Sequence, residues 1–176
     1  VLSLAADRTL RMQVPEELER LRYNGQKLKN LTVAADSELK LDLRGDSLEL
    51  QIAIDPDTAR QCGVKVRCSP GNEEETLIFY DADEKKLKID ARKASLTDKT
   101  KTLEAAPFER SEGELLTLRV FVDKSIVEVF ANDRQAVMRR IYPSRSDSLG
   151  IELFARGGSC QVPLLEAWEM MPSNPH

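Results

Sequence analysis

The chain has 176 residues, 41% hydrophobic and 32% charged, with 30 acidic against 26 basic side chains and a net charge of −4. That length suits a single domain, residues 1–176, whose core is large enough to fold without a disulfide or metal. Mixed charge with no basic stripe argues against nucleic acid as the main partner. No apolar run approaches the roughly 20 residues needed to span a bilayer as a helix, which argues against a membrane partner.

Taken in order, the chain opens on a strand-like VLSL with no signal peptide, as expected of a domain cut from a longer polypeptide. Pro15–Arg22 is the one predicted helix, short and superficial, with proline opening an acidic first turn and Asn24-Gly25 closing the last. Leu39, Leu41 and Leu43 alternate with charged residues up to Gly45-Asp46, and Leu48, Leu50, Ile52 and Ile54 then alternate with Glu49 and Gln51. This pattern predicts a half-buried hairpin. Cys62, Val64, Val66 and Cys68 share one face of the next predicted strand. Six residues of extended chain put the two thiols about 20 Å apart, beyond disulfide reach, so both are expected as core thiols. Cys160 leaves an odd count and reads as a third free thiol. Thr76–Tyr80 and a return through Leu87 and Ile89 form another hairpin, and Ala91–Glu112 reads as a long connection between sheets.

The stretch Leu116–Tyr142 reads as a three-strand meander. A turn at Asp123-Lys124 sets Val120 opposite Val127 and Arg119 opposite Glu128. A second turn at Asn132-Asp133 sets Ala136 against Val129 and Met138 against Val127. Phe121, Ile126 and Phe130 then share an outward face too apolar for water alone, a candidate interface, although a second sheet or the long connection is the plainer cover for them. Gly157-Gly158 reads as a hairpin turn. Trp168, the lone tryptophan, is a candidate for stacking on a sugar ring, against a plainer role in the core. About a dozen short strands with almost no helix predict an all-β fold, a two-sheet antiparallel β-sandwich of concanavalin A-like or jelly-roll type.

Catalytic chemistry is hard to place. The only histidine is the terminal His176, so no imidazole stands ready to activate a serine or cysteine. No zinc-type cluster is present, and Asp55, Asp57 or Asp81, Asp83, Glu84 read as solvated turns rather than calcium loops. No catalytic, cofactor-binding or metal site is therefore assigned.

LRVFVDKSIVEVFANDRQAVMRRIYP resembles the signature of the C-terminal β-sandwich of glycoside hydrolase family 32, the invertases, levanases and inulinases. VLSLAADRTLRMQVPEELERLR looks like that family's exit from the catalytic propeller, so residues 1–24 would be its linker region. TLIFYDADEKKLKIDARKASL is similar to the family's hairpin around Tyr80, Asp81 and Asp90, and GIELFARGGSCQVPLLEAWEM resembles its closing strands. One departure is local: Ala91-Arg92-Lys93 follows Asp90 where the family usually has arginine and serine. The resemblance implies a five-bladed propeller catalytic domain as partner, in a β-fructofuranosidase, levanase or inulinase. The family's Asn-Asp-Pro, Arg-Asp-Pro and Glu-Cys motifs are missing, the one Asp-Pro being Asp55-Pro56, so this chain is expected to be non-catalytic. It would stabilise the propeller, mediate a homodimer or limit substrate access. An independent carbohydrate-binding module, taking fructan or sucrose, is the alternative.

Overall fold

The structure, a computed structural model, describes residues 1–6, 8–98 and 101–173. Its strands are β1 (Leu2–Leu4), β2 (Leu10–Met12), β3 (Arg22–Val33), β4 (Ser37–Arg44), β5 (Ser47–Asp55), β6 (Gln61–Cys68), β7 (Thr76–Asp81), β8 (Lys86–Asp90), β9 (Leu103–Pro107), β10 (Leu116–Asp123), β11 (Ile126–Ala131), β12 (Gln135–Arg140), β13 (Gly150–Arg156) and β14 (Cys160–Met170). A 3-10 helix, Glu16–Leu21, precedes β3. β1 and β2 form a separate ribbon, and the other strands make two six-stranded sheets, ordered β12-β11-β10-β5-β14-β3 and β4-β13-β6-β7-β8-β9. All pairings are antiparallel. The expected two-sheet sandwich is the observed fold. Among the described residues no helix is long and apolar enough to cross a membrane.

Strict alternation builds the core between the sheets. Leu48, Leu50, Ile52 and Ile54 of β5 meet Leu116, Leu118, Val120 and Val122 of β10 across the first sheet. Val64, Ile78 and Ile89 line the facing side of the second. Each such aliphatic side chain contributes about 1.5–3 kcal/mol by leaving water.

Several local expectations are corrected. β4 and β5 are not a hairpin: they belong to different sheets, and Gly45-Asp46 carries the chain across the sandwich. Gly157-Gly158 is likewise a corner, joining β13 of one sheet to β14 of the other. A Cβ on Gly158, whose φ is +151°, would lie 2.1 Å from the Thr58 carbonyl oxygen, so only glycine lets the corner pack this closely. The helix ends at Leu21, and Asn24-Gly25 lies inside β3, a polar edge strand whose alternation is masked by Asn24 and Asn30 at φ 47° and 54°. The long connection also contains a strand, β9, paired with β8 at the sheet's edge.

Both meander registers move. The first turn is Lys124-Ser125, because Asp46 holds the Lys124 amide at 2.6 Å and its ammonium at 2.7 Å. Val120 therefore faces Val129, Arg119 faces Phe130 and Phe121 faces Glu128. That two-residue slip preserves the faces. The second loop has three residues, Asn132-Asp133-Arg134, so β12 shifts by one and turns over. Val137 meets Val129, and Met138 faces outward opposite Glu128. Cys62 and Cys160 lie in the main core, but β6 bulges between Lys65, which faces Glu152, and Cys68, which faces Gly150. With Arg67 at φ 54° absorbing the extra residue, Cys68 is buried on the outer side, with Lys65 and Glu152, instead of in the core. His176 lies outside the described residues.

Candidate functional site

The outer face of the β12-β11-β10-β5-β14-β3 sheet gathers every candidate residue. Cross-strand pairing lays one row across it, Met138, Glu128, Phe121, Glu49, Trp168. Beside it runs a second, Ala136, Phe130, Arg119, Gln51, Glu166, Lys27. Ile126 stands at the end of β11, 41% exposed, and Met138 is 58% exposed. Phe121 and Phe130 are half-buried and pack edge to face, 6.3 Å between ring centroids. The structure thus brings Phe121, Ile126 and Phe130 together with Met138 on one side of the face. Trp168 stands at the other side, half-buried.

Between them lies a buried charge centre that periodicity does not reveal. Glu49 is fully buried. One carboxylate oxygen accepts the Arg22 Nε at 2.9 Å, and the other accepts the Arg22 Nη2 at 2.6 Å, the Arg119 Nε at 2.6 Å and the Gln51 Nε2 at 3.2 Å. Burial alone would raise its pKa, but the hydrogen bonds from Arg22 and Arg119 outweigh that and hold the carboxyl below its usual range. In the sequence Glu49 looks like any polar residue on an alternating strand. Its depth follows from the arginines that lie over it, and those come from β3 and β10.

Arg119 is consequently not the partner of Glu128. Glu128 stands between Phe121 and Met138 on neighbouring strands and, among the described residues, makes no ion pair or hydrogen bond. Burial raises its pKa. The Arg119 Nη2, buried near Phe130, also has no hydrogen-bond partner. Beside it a cavity of about 320 Å³ opens among Arg119, Phe130, Gln51, Leu164, Asn132 and Asp133. The rim at Asp133 is where the N-terminal ribbon attaches: the Met12 amide donates to the Asp133 carbonyl at 2.8 Å, and the Gln13 Nε2 to its carboxylate at 3.4 Å.

Trp168 is already engaged. The Arg22 guanidinium lies 4.1 Å from its ring centroid. A Cβ on Gly25 would come within 2.8 Å of its Nε1, so the indole also rests on bare β3 backbone.

The Tyr80–Asp90 hairpin is held structurally. Asp81 accepts Gln61 Nε2, Lys88 Nζ and the Glu84 amide at 2.8, 2.9 and 3.0 Å. Asp90 binds Arg92, the residue that departs from the family pattern, at 2.6 and 2.9 Å. Among the described residues no cluster of three or more metal-ligating side chains forms. With both Glu49 oxygens occupied by cations and Glu128 isolated among apolar neighbours, the face offers no pair of free carboxylates of the kind glycoside hydrolysis uses. Among the described residues it presents instead an apolar surface with one unpaired carboxylate, Glu128, and one unsatisfied guanidinium donor, the Arg119 Nη2.

Comparison with known proteins gives this face a context. The chain is 36% identical to a levanase from Bacillus subtilis, a match covering 92% of this chain and 25% of the relative. It is 26% identical to a sucrose-6-phosphate hydrolase from Zymomonas mobilis, covering 96% and 33%. It therefore spans about a quarter to a third of the length of these two curated relatives. Among solved structures, fructan 1-exohydrolase IIa from Cichorium intybus superposes with a TM-score of 0.86 at 18% identity, over 98% of this chain and 40% of that one. An exo-inulinase from Aspergillus awamori gives 0.78 at 20%, over 97% and 34%. These likenesses, both below 25% identity, establish a shared fold. The model of a family described as glycosyl hydrolases family 32 C terminal matches residues 17–169, and the chain belongs to that family.

Proposed function

We propose that the chain is the non-catalytic C-terminal module of a fructosyl-cleaving hydrolase, and that it stabilises the catalytic domain by packing the outer face of the β12-β11-β10-β5-β14-β3 sheet against it. The observation that carries this reading is the combination on one face of Phe121, Ile126, Phe130 and Met138 with two polar groups that lack partners among the described residues, Glu128 and the Arg119 Nη2. Buried polar groups in folded proteins are nearly always satisfied, so the buried, unsatisfied Arg119 Nη2, set among apolar side chains beside the half-buried Glu128, fits a surface that is completed by another. The ribbon supports the same placement. Two strands of three residues are marginal by themselves, and Leu2, Leu4 and Leu10 are 71%, 69% and 47% exposed, as suits the border of a neighbouring domain's sheet.

The test supplies this chain in trans to the catalytic half of a parent enzyme. Co-elution and a higher Tm of the catalytic half are expected, and Phe130→Asp should abolish both while leaving the fold of this chain intact. Failure of the wild-type chain to associate at tens of micromolar would overturn the reading. The cavity beside Phe130, lined by planar polar side chains, favours a second reading, a fructan-binding module. Calorimetric titration with levan or inulin decides it, and sedimentation of the free chain shows whether the same face pairs two copies instead.

A further inference from the structure

The chain has three cysteines, all free and all buried. Cys62 and Cys160 are 0% and 1% exposed within the same core cluster, and they come from opposite sheets. Two features bring them together. Cys62 sits opposite Ala155 on β13, and the Gly157-Gly158 corner carries the chain from Ala155 across the sandwich to Cys160 within five residues. The start of β14 is then tied to the approach to β6 by the Ala59 amide, which donates to the Ser159 carbonyl at 3.1 Å. Across this junction each thiol perturbs the other: Cys160, together with burial, raises the Cys62 pKa, while Cys62 lowers that of Cys160.

We infer that Cys62 and Cys160 are a disulfide site, closing a bond between the inner faces of the two sheets when the chain meets a disulfide oxidant such as oxidised glutathione. Cross-sheet bonds of this kind are known in other β-sandwiches. The exchange is balanced. The Cys160 thiolate attacks one glutathione sulfur and releases a glutathione thiolate; the Cys62 thiolate then attacks the mixed disulfide and releases the second. Two thiol protons go to solvent or to the leaving thiolates, and two electrons reduce one glutathione disulfide. Cys68 takes no part, being on the outer side of β6. Because both sulfurs are shielded, exchange precedes closure of the sandwich or follows opening at the glycine corner.

The experiment refolds the reduced chain in a glutathione redox buffer, and in parallel exposes the native chain to oxidised glutathione, so that a chain that refolds poorly is still tested. Both samples are then alkylated in denaturant and mapped by mass spectrometry. The expected product is two hydrogens lighter, has one alkylatable thiol at Cys68, and yields a linked peptide joining 62 to 160. Its Tm should exceed that of the reduced form by about 10 °C, since the closed loop is long. A Cys68→Ser variant should form the same bond. Three alkylatable thiols in both samples, a glutathione adduct trapped on one cysteine, or a bond that includes Cys68 would each overturn the inference.

Discussion

At the scale of the residue, two buried carboxylates and one half-buried one are treated in three ways. Glu49 is neutralised by two arginines. Removing one partner of a buried pair strands the other charges, so Glu49→Ala should destabilise the domain by about 3 kcal/mol, read as a lower urea midpoint at unchanged m. Glu74 is satisfied by neutral donors: the Ser148 hydroxyl at 2.6 Å, the Ser144, Leu96 and Arg145 amides at 2.8, 3.0 and 3.1 Å, and the Ser144 hydroxyl. Burial opposes its ionisation, but these bonds prevail and hold its pKa at about 2. A carboxyl depressed on folding contributes stability above its unfolded value and loses it as pH falls through the folded one. The domain should therefore weaken between about pH 4.5 and 2. Glu74→Gln should be less stable at neutral pH but show a shallower acid slope in thermal melts. Glu128, half-buried, is the third case, with no partner among the described residues.

At the scale of the element, what was legible follows from what period-two alternation encodes. It exposes which residues share a face, so β5, β6, β10 and β11 were readable to within a residue or two. Register depends on loops, and the two hairpins show the difference: an anchor on Asp46 moves one turn by a residue, and a third loop residue turns β12 over. Met138 lost its predicted place in the core for that reason alone. β3 was invisible because an edge strand needs apolar residues on only part of one face, and Leu28, Leu31 and Val33 are all it offers. Trp168 ties this strand down. In Gly25→Ala the new methyl would stand 2.8 Å from the indole Nε1 and must displace it, at a cost of about 1–3 kcal/mol. As Trp168 is the chain's one tryptophan, a red-shifted fluorescence maximum with a lower urea midpoint is the expected result. An unchanged spectrum would mean that the ring does not rest on β3.

At the scale of the whole molecule, alternation cannot say which sheet receives a strand. β4 and β5 look like one hairpin yet lie on opposite sides of the core, because the Gly45-Asp46 and Gly157-Gly158 crossings are spelled like ordinary turns. For the same reason the candidate interface was legible as a set of residues and its charge centre was not, since Arg22, Glu49 and Arg119 come from three strands. The unpaired Glu128 turns this architecture into a test that separates folding from docking. Burial raises its pKa, so its charge opposes folding of the free chain at neutral pH, where the folded state favours the protonated form that is scarce there. Glu128→Gln should leave the Tm of the free chain unchanged or raise it by a degree or two. If the neighbouring domain brings a cation to this carboxylate, the same substitution should weaken the assembled enzyme by about 1–3 kcal/mol, with the loss diminishing in high salt. Opposite signs in the two settings would place Glu128 in the contact. A change of the same sign in both would confine it to the fold of this domain and move the contact elsewhere on the molecule.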